Sequence, residues 1–307
     1  MNKNLSIIIT GGTGFIGNAT IKTLLEQGYK NLITINSQSK YNDTKVHSVV
    51  AKIGSATTIK DIINKDDIVV HMAWSCNPST AEQNRISDIK DNVLSTLELL
   101  DICVKKKIRR FIFISSGGTV YGNTEPIPSI ESDPLNPKNS YGALKVCVEK
   151  YLDVYKQIYG LDYTIIRLAN VYGRIELEDK PQWALDIFLK NALEDKPITM
   201  RGDGSTVRDY IYIKDVVDFI VKIISDNSLF GIYNLGTGVG TSLAELVQTI
   251  ETTIHKKTKI IQEPDRKLDL NYNVLNINKA LKTGWKPKYN LLNGLSEIIN
   301  LRKNVGK

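Results

Sequence analysis

A tyrosine and a lysine stand four residues apart in the stretch Tyr141-Gly142-Ala143-Leu144-Lys145. On a helix, positions i and i+4 share one face. A free phenol has a pKa of about 10, so a tyrosine that exchanges a proton at neutral pH needs a cation nearby to favour the phenolate. The spacing alone also suits an ordinary amphipathic helix. Its context adds meaning, because the pair follows an apolar run, Phe111 to Ser115, that ends in Ser115-Ser116-Gly117-Gly118-Thr119-Val120-Tyr121-Gly122. Hydroxyls at a strand end either meet a substrate or bond the local backbone.

A second constellation opens the chain. Thr10-Gly11-Gly12-Thr13-Gly14-Phe15-Ile16-Gly17 links the apolar run Ser6–Thr10 to a helical pattern from Asn18. Gly11, Gly14 and Gly17 permit a tight turn, a close approach to a pyrophosphate, and packing of helix on sheet, while the helix N-terminus offers free amides. Thr13, Phe15 and Ile16 complete this expected dinucleotide loop. At the end of the next apolar run an NAD enzyme usually places an acid that accepts from the adenine ribose. This chain has Asn36 there, followed by Ser37, Gln38, Ser39 and Lys40. Loss of the carboxylate removes repulsion toward a 2′-phosphate, and hydroxyls with a cation can bind one. The reading favours NADP(H) over NAD(H); Asn36 bonded to an NAD ribose is the alternative.

The elements that hold these residues follow from periodicity. Strands are expected at Ser6–Thr10, Leu32–Asn36, Ile68–Ala73, Phe111–Ser115 and Thr164–Leu168, and helices at Asn18–Gln27, Asp91–Lys106 and Tyr141–Tyr159. Short apolar strands alternating with helices give an α/β fold, a Rossmann-type doubly wound parallel sheet. After Asn170 the pattern changes to a polar loop at Gly173–Gln182, a helix at Trp183–Leu193 and a turn at Gly202-Asp203-Gly204-Ser205. A strand-helix unit at Arg208–Ser225 and a strand at Ile232–Leu235 follow, then helices at Ser242–Lys256, Asn278–Thr283 and Leu291–Leu301. Residues 1–172 are therefore assigned to a dinucleotide-binding domain, with a return segment at about 208–235; residues 173–207 and 236–307 form a smaller α/β substrate-binding lobe.

With 307 residues, 42% hydrophobic and 24% charged, the chain is long enough for a large core and lacks the bias of disordered or fibrous sequences. Cys76, Cys103 and Cys147 stand far apart, which argues against a disulfide scaffold or a Cys-rich metal site and suits a reducing, cytoplasmic compartment. The first apolar run falls far short of the roughly 20 residues of a membrane helix, so no membrane partner is expected. The net charge of +7 is scattered apart from Lys105-Lys106-Lys107-Ile108-Arg109-Arg110, so a small anionic ligand is expected and nucleic acid is not.

Taken together, the chain resembles the extended short-chain dehydrogenases/reductases, in the branch of nucleotide-sugar epimerases, dehydratases and 4-keto reductases. The resemblance rests on Thr10 to Gly17, His71-Met72-Ala73, Asn92-Val93, Ser115 to Gly122, and Tyr141 to Lys145. Further along it includes Arg167 to Gly173, Gly202-Asp203-Gly204, Arg208-Asp209-Tyr210 and Gly284-Trp285-Lys286-Pro287. It implies that Tyr141 exchanges a proton at the sugar C4 oxygen while hydride passes between C4 and the nicotinamide. Lys145 then holds the nicotinamide ribose and lowers the tyrosine pKa, and Ala73 and Asn92 join the cofactor site. The family's catalytic Ser or Thr falls on Gly117, a departure from the pattern that makes the flanking Ser116 and Thr119 the candidates for that hydroxyl, with water or backbone as the alternative.

For a nucleotide-diphosphate sugar, the resemblance implies Arg208 and Arg266 on the diphosphate and Asn170 and Tyr210 near the substrate, with base reading around Lys180–Asp186. Trp74 replaces a frequently small residue and either narrows the sugar pocket or belongs to the core. The branch also implies a homodimer through the helices at Asp91–Lys106 and Tyr141–Tyr159. Leu94, Leu97, Leu144, Val148 and Leu152 suit that interface and equally suit packing on the sheet.

Without an acid after the second strand, an NADPH-dependent 4-keto reductase is favoured, with an NAD-dependent 4-epimerase as the alternative. A dehydratase is disfavoured because Gly118 and Thr119 stand where that branch carries Asp-Glu. A non-catalytic dinucleotide sensor is the remaining class, opposed by the intact Tyr141 and Lys145.

Overall fold

The run Ser6–Thr10 forms β1, with Ile7, Ile8 and Ile9 fully buried as a strand covered on both faces requires. β2 is Asn31–Asn36, β3 Val46–Val50, β4 Ile68–His71, β5 Arg110–Ser116 and β6 Tyr163–Leu168. With the strand Gly231–Leu235 they make a seven-stranded sheet in the order Gly231–Leu235, β6, β5, β4, β1, β2, β3. The pairings of β3 with β2, β2 with β1, β1 with β4 and β4 with β5 are parallel, with Thr10 opposite both Ile35 and His71. This is the Rossmann-like doubly wound sheet, and the chain order reverses beside β1, the kind of switch point at which such sheets form a crevice at the strand carboxyl ends. The computed structural model describes residues 3–78, 80–123, 127–175, 183–264 and 270–305.

Two helices carry most of the expected chemistry. Phe15–Glu26 begins directly behind the glycine loop, with Gly14 at its N-cap and no acid in its first turn. Ser140–Tyr159 starts where the Asn139 carboxamide accepts the Gly142 N–H at 2.8 Å, and it ends at Gly160 with φ +70°. Its inner face, Leu144, Val148, Leu152 and Tyr155, packs in one cluster with Phe111, Phe113 and Ile165.

The expected helix Asp91–Lys106 is a π-helical turn, Ile89–Leu94, followed by an α-helix, Ser95–Lys106. The Asn92 side chain donates to the Asp88 carbonyl at 2.9 Å, competing with the backbone ladder just where the turn widens.

The chain divides into two compact units: Met1–Val120 with Pro137–Arg167 and Val217–Tyr233, and Tyr121–Asn136 with Leu168–Val216 and Asn234–Lys307. In the second, the strand Val207–Tyr212 pairs in parallel with Asn170–Tyr172 and Tyr272–Asn273, and antiparallel with Gly240–Ser242. A separate parallel pair joins Ile198–Arg201 to Ile260–Glu263. Among the described residues no helix is long and apolar enough to cross a membrane.

Candidate active site

The glycines of the loop stand where a side chain has no room. A Cβ on Gly11 comes within 2.9 Å of the Ala73 backbone, and one on Gly17 within 2.3 Å of the Gly11 carbonyl. One on Gly12, a position without a role in the glycine pattern, meets Thr34 Oγ1 at 2.0 Å. Gly11 also has φ +75°. The loop therefore lies flat over the ends of β1 and β4, with exposed Thr13 and Gly14 and half-buried Phe15 and Ile16 leading into the helix N-terminus. That cradle fits the pyrophosphate of a dinucleotide.

Asn36 is buried at the tip of β2, where its Oδ1 accepts the Thr13 N–H at 3.0 Å and its Nδ2 has no partner among the described residues. The uncommitted group is thus a donor, which suits a ribose or phosphate oxygen. Ser37 and Lys40 are exposed. The following residue, Tyr41, donates from its hydroxyl to Asn18 Oδ1 at 2.9 Å, tying this loop to the first turn of the glycine-loop helix. No sequence signal pointed to Tyr41.

On β4, His71 is buried between two threonines. The Thr96 hydroxyl donates to the Asn92 carbonyl at 2.5 Å, so its oxygen must accept from His71 Nε2 at 3.0 Å. Nδ1 then accepts from Thr10 Oγ1 at 2.8 Å, and that oxygen in turn receives the Met72 and Ala73 N–H groups, each at 3.2 Å. Burial, with Lys145 adding to it, pulls the imidazole pKa down to about 3, so His71 is a neutral strut. Asn92 spends its carboxamide on Ser75 and Asp88, clamping the segment after β4.

Tyr141, Lys145 and Ser116 come together in the first unit. The Ser116 hydroxyl stands near enough to the Tyr141 phenol to favour its charged form, whereas Thr119 Oγ1 is buried with no partner among the described residues. Gly142 permits this closeness, since a Cβ there comes within 2.7 Å of the Thr119 carbonyl. Burial pushes the phenol well above its ordinary pKa; the Cys76 thiol adds to this and the nearby Ser116 hydroxyl opposes it. The net direction is upward, although Lys145 is expected from sequence to draw it down. The ammonium lies 5.8 Å from the Tyr141 ring centroid and donates to the Ile114 carbonyl at 2.8 Å. Burial lowers its pKa to about 7, with Cys76 and Glu149 pulling the other way.

Glu149, one helical turn beyond Lys145, was legible as part of the same face but not assigned. It accepts from Ser115 Oγ at 2.5 Å and pairs with Arg167 at 2.6 Å, both partners buried. Trp74 is no remote core residue, because its ring lies 3.6 Å from Lys145 Nζ and edge-on to Tyr141.

In the second unit, Asn170 donates from Nδ2 to the Asp209 carbonyl at 3.1 Å, and its strand pairs Asn170 with Tyr210. Arg208 donates to the Val207 carbonyl at 2.9 Å. Asp209 is fully buried and accepts from Thr237 and Gly238, since successive strand residues point to opposite faces. Tyr210 is buried, which pushes its phenol up to about 12. Arg266 and Lys180–Gln182 lie outside the described residues. The Gly284-Trp285 motif is structural, with Trp285 donating to the Asp215 carbonyl at 3.1 Å. Among the described residues no group of three or more His, Cys, Asp or Glu is placed to hold a metal.

Residues 7–236 match the model of the NAD dependent epimerase/dehydratase family. The chain is 30% identical over 305 residues to the dTDP-4-dehydro-6-deoxyglucose reductase of Escherichia coli, covering 95% of this chain and 96% of that protein. It superposes on the crystal structure of the UDP-glucose 4-epimerase of Thermotoga maritima with UDP-glucose at a TM-score of 0.91 and 30% identity, over 98% and 100% of the two chains. For the Thermus thermophilus UDP-glucose 4-epimerase in complex with NAD the TM-score is 0.89, with 27% identity over 97% and 99%.

Proposed function

The chain belongs to the NAD-dependent epimerase/dehydratase family, and from that premise we propose that it reduces a nucleotide-linked 4-keto-6-deoxyhexose at C4, with NADPH as cofactor. A nicotinamide cofactor held at the glycine loop Gly11–Gly17 would supply the hydride for C4. Tyr141 gives its proton to the C4 oxygen, so the ketone becomes a secondary alcohol and the tyrosine a phenolate. Ser116 donates to the oxygens on which charge changes, and Lys145 stabilises the phenolate from the same helix face. Arg208 and Arg266 are the proposed diphosphate ligands, with Asn170 and Tyr210 as further substrate contacts.

The observation that carries this reading is the buried Lys145 on the helix face of Tyr141, its ammonium 5.8 Å from the phenol ring centroid, with the Ser116 hydroxyl beside the phenol. The cofactor preference is supported by Asn36, whose neutral amide leaves a donor where a carboxylate repels a 2′-phosphate. The substrate class is supported by the name of the Escherichia coli relative.

The names of the Thermotoga and Thermus structures favour a second reading, NAD-dependent 4-epimerisation of a UDP-hexose. One experiment separates the two. The purified protein is given dTDP-4-keto-6-deoxyglucose with NADPH or NADH, and separately UDP-glucose with no added reductant. Stoichiometric NADPH oxidation supports reduction; formation of UDP-galactose, with firmly bound NAD released on denaturation, overturns it.

A further inference from the structure

Lys145 is a buried ammonium without a directly paired carboxylate among the described residues. Its side chain is on a residue only 3% exposed, and the nearest acid on its helix, Glu149, is committed to Ser115 and Arg167. A charge taken out of water needs compensation from somewhere. One N–H goes to the Ile114 carbonyl at 2.8 Å. The rest of the ammonium faces aromatic surface, with Nζ 3.6 Å from the centroid of Trp74 and 4.7 Å from that of Phe113. Indole is the strongest of the aromatic cation acceptors, and the attraction grows when water is excluded. Trp74 is itself held, edge-on to Tyr141 at 6.3 Å and tilted on Phe113 at 5.9 Å.

We propose that Trp74 is the positioning residue for Lys145, its indole face holding the ammonium charged and aimed within the Tyr141 cluster. The functional weight of this contact rests on the catalytic reading above; the contact itself does not. The groups around the ammonium leave the indole as the distinctive partner. From its own helix it meets Tyr141 and Glu149. From the segment after β4 it meets Cys76, whose thiol is raised to about 11 by burial and by Asp88 and is neutral near pH 7. From β4 it meets His71, also neutral there.

The chain has three tryptophans, so the protein labelled with 5-fluorotryptophan gives three fluorine resonances. The Trp74 signal is assigned by its loss in Trp74→Phe. Its shift should titrate with a midpoint near the Lys145 value of about 7 and lose that titration in Lys145→Met. A pH-invariant signal, or one that titrates unchanged in Lys145→Met, overturns the proposal. As a second readout, the pH dependence of Lys145 acylation is followed by peptide mass spectrometry. Trp74→Leu should move the midpoint down by about one unit, and Trp74→Phe by less, because the quadrupole favours the charged form. A midpoint that stays or rises in Trp74→Leu also overturns it. An intact fluorine titration in a protein without reductase or epimerase turnover sinks the catalytic reading and leaves the Trp74–Lys145 coupling standing.

Discussion

The Oδ1 of Asn36 accepts the Thr13 backbone N–H at 3.0 Å, so the tip of β2 is tied to the glycine loop by a neutral amide. An aspartate at this position keeps that acceptor and replaces the buried donor with negative charge. Asn36→Asp should therefore leave the loop in place while weakening NADPH and strengthening NADH. The ratio of the two Kd values, measured by cofactor fluorescence, should move toward NADH by about tenfold or more, about 1.4 kcal/mol. A ratio equal to that of the parent protein removes the basis of the NADPH preference.

Ser116 and Thr119 differ in what their hydroxyls meet. Ser116 stands beside the Tyr141 phenol and favours its charged form, and Thr119 Oγ1 is buried without a partner among the described residues. Ser116→Ala should lower kcat by about ten- to a hundredfold, the low end of what a positioned proton-transfer group contributes. Thr119→Val keeps the shape and removes an unsatisfied hydroxyl, so kcat should change less than about threefold and the protein should be no less stable. Paired kcat and Tm measurements test both; the reverse order of the two effects reassigns the hydroxyl to Thr119.

These two positions also show where the sequence stops speaking. Continuous apolar runs made β1 and β5 plain, because a strand buried on both faces has no other composition. β3, Val46–Val50, was missed: it is an edge strand with exposed His47 and Val50, so neither alternation nor a full apolar run marks it. The π-helical turn at Ile89–Leu94 depends on the Asn92 side chain reaching Asp88 and Ser75, and Ser75 lies 17 residues away in the chain. Spacing placed Tyr141 and Lys145 on one face, but only the folded loop separates Ser116 from Thr119. Trp74 read equally as pocket or core because nothing local ties it to Lys145.

Burial holds the Lys145 pKa at about 7 against an ordinary 10.5. Between those values the unfolded chain binds a proton that the folded chain has released, so this residue makes stability rise with pH across that window. Below about pH 7 both states are protonated and the full burial cost is present. Lys145→Met should accordingly be the more stable protein at and below neutral pH, with a flatter pH profile. The difference in slope above pH 7 reaches at most about 1.4 kcal/mol per unit. Urea unfolding of both proteins across pH 6 to 10 checks this, and parallel profiles refute the assigned shift.

The last prediction concerns an exposed flank of the helix Ser140–Tyr159. Leu144, Val148 and Leu152, suited by pattern to either an interface or the sheet, are buried in the core of their own chain. The flank of the helix carries Tyr151, Val154 and Ile158, exposed at 40, 42 and 65%, spaced i, i+3 and i+7 along one stripe. Leu94, at the end of the π-helical turn, is also exposed. A stripe of this kind on a helix can pair with its own copy about a two-fold axis, where each substitution is felt twice. Ile158→Asp and Val154→Asp should each convert a dimer into a monomer without lowering Tm by more than about 4 °C, since neither side chain is in the core. Light scattering on the eluting protein gives the mass directly. A parent protein that is already monomeric at micromolar concentration, or a dimer that survives both aspartates, places the interface elsewhere or removes it.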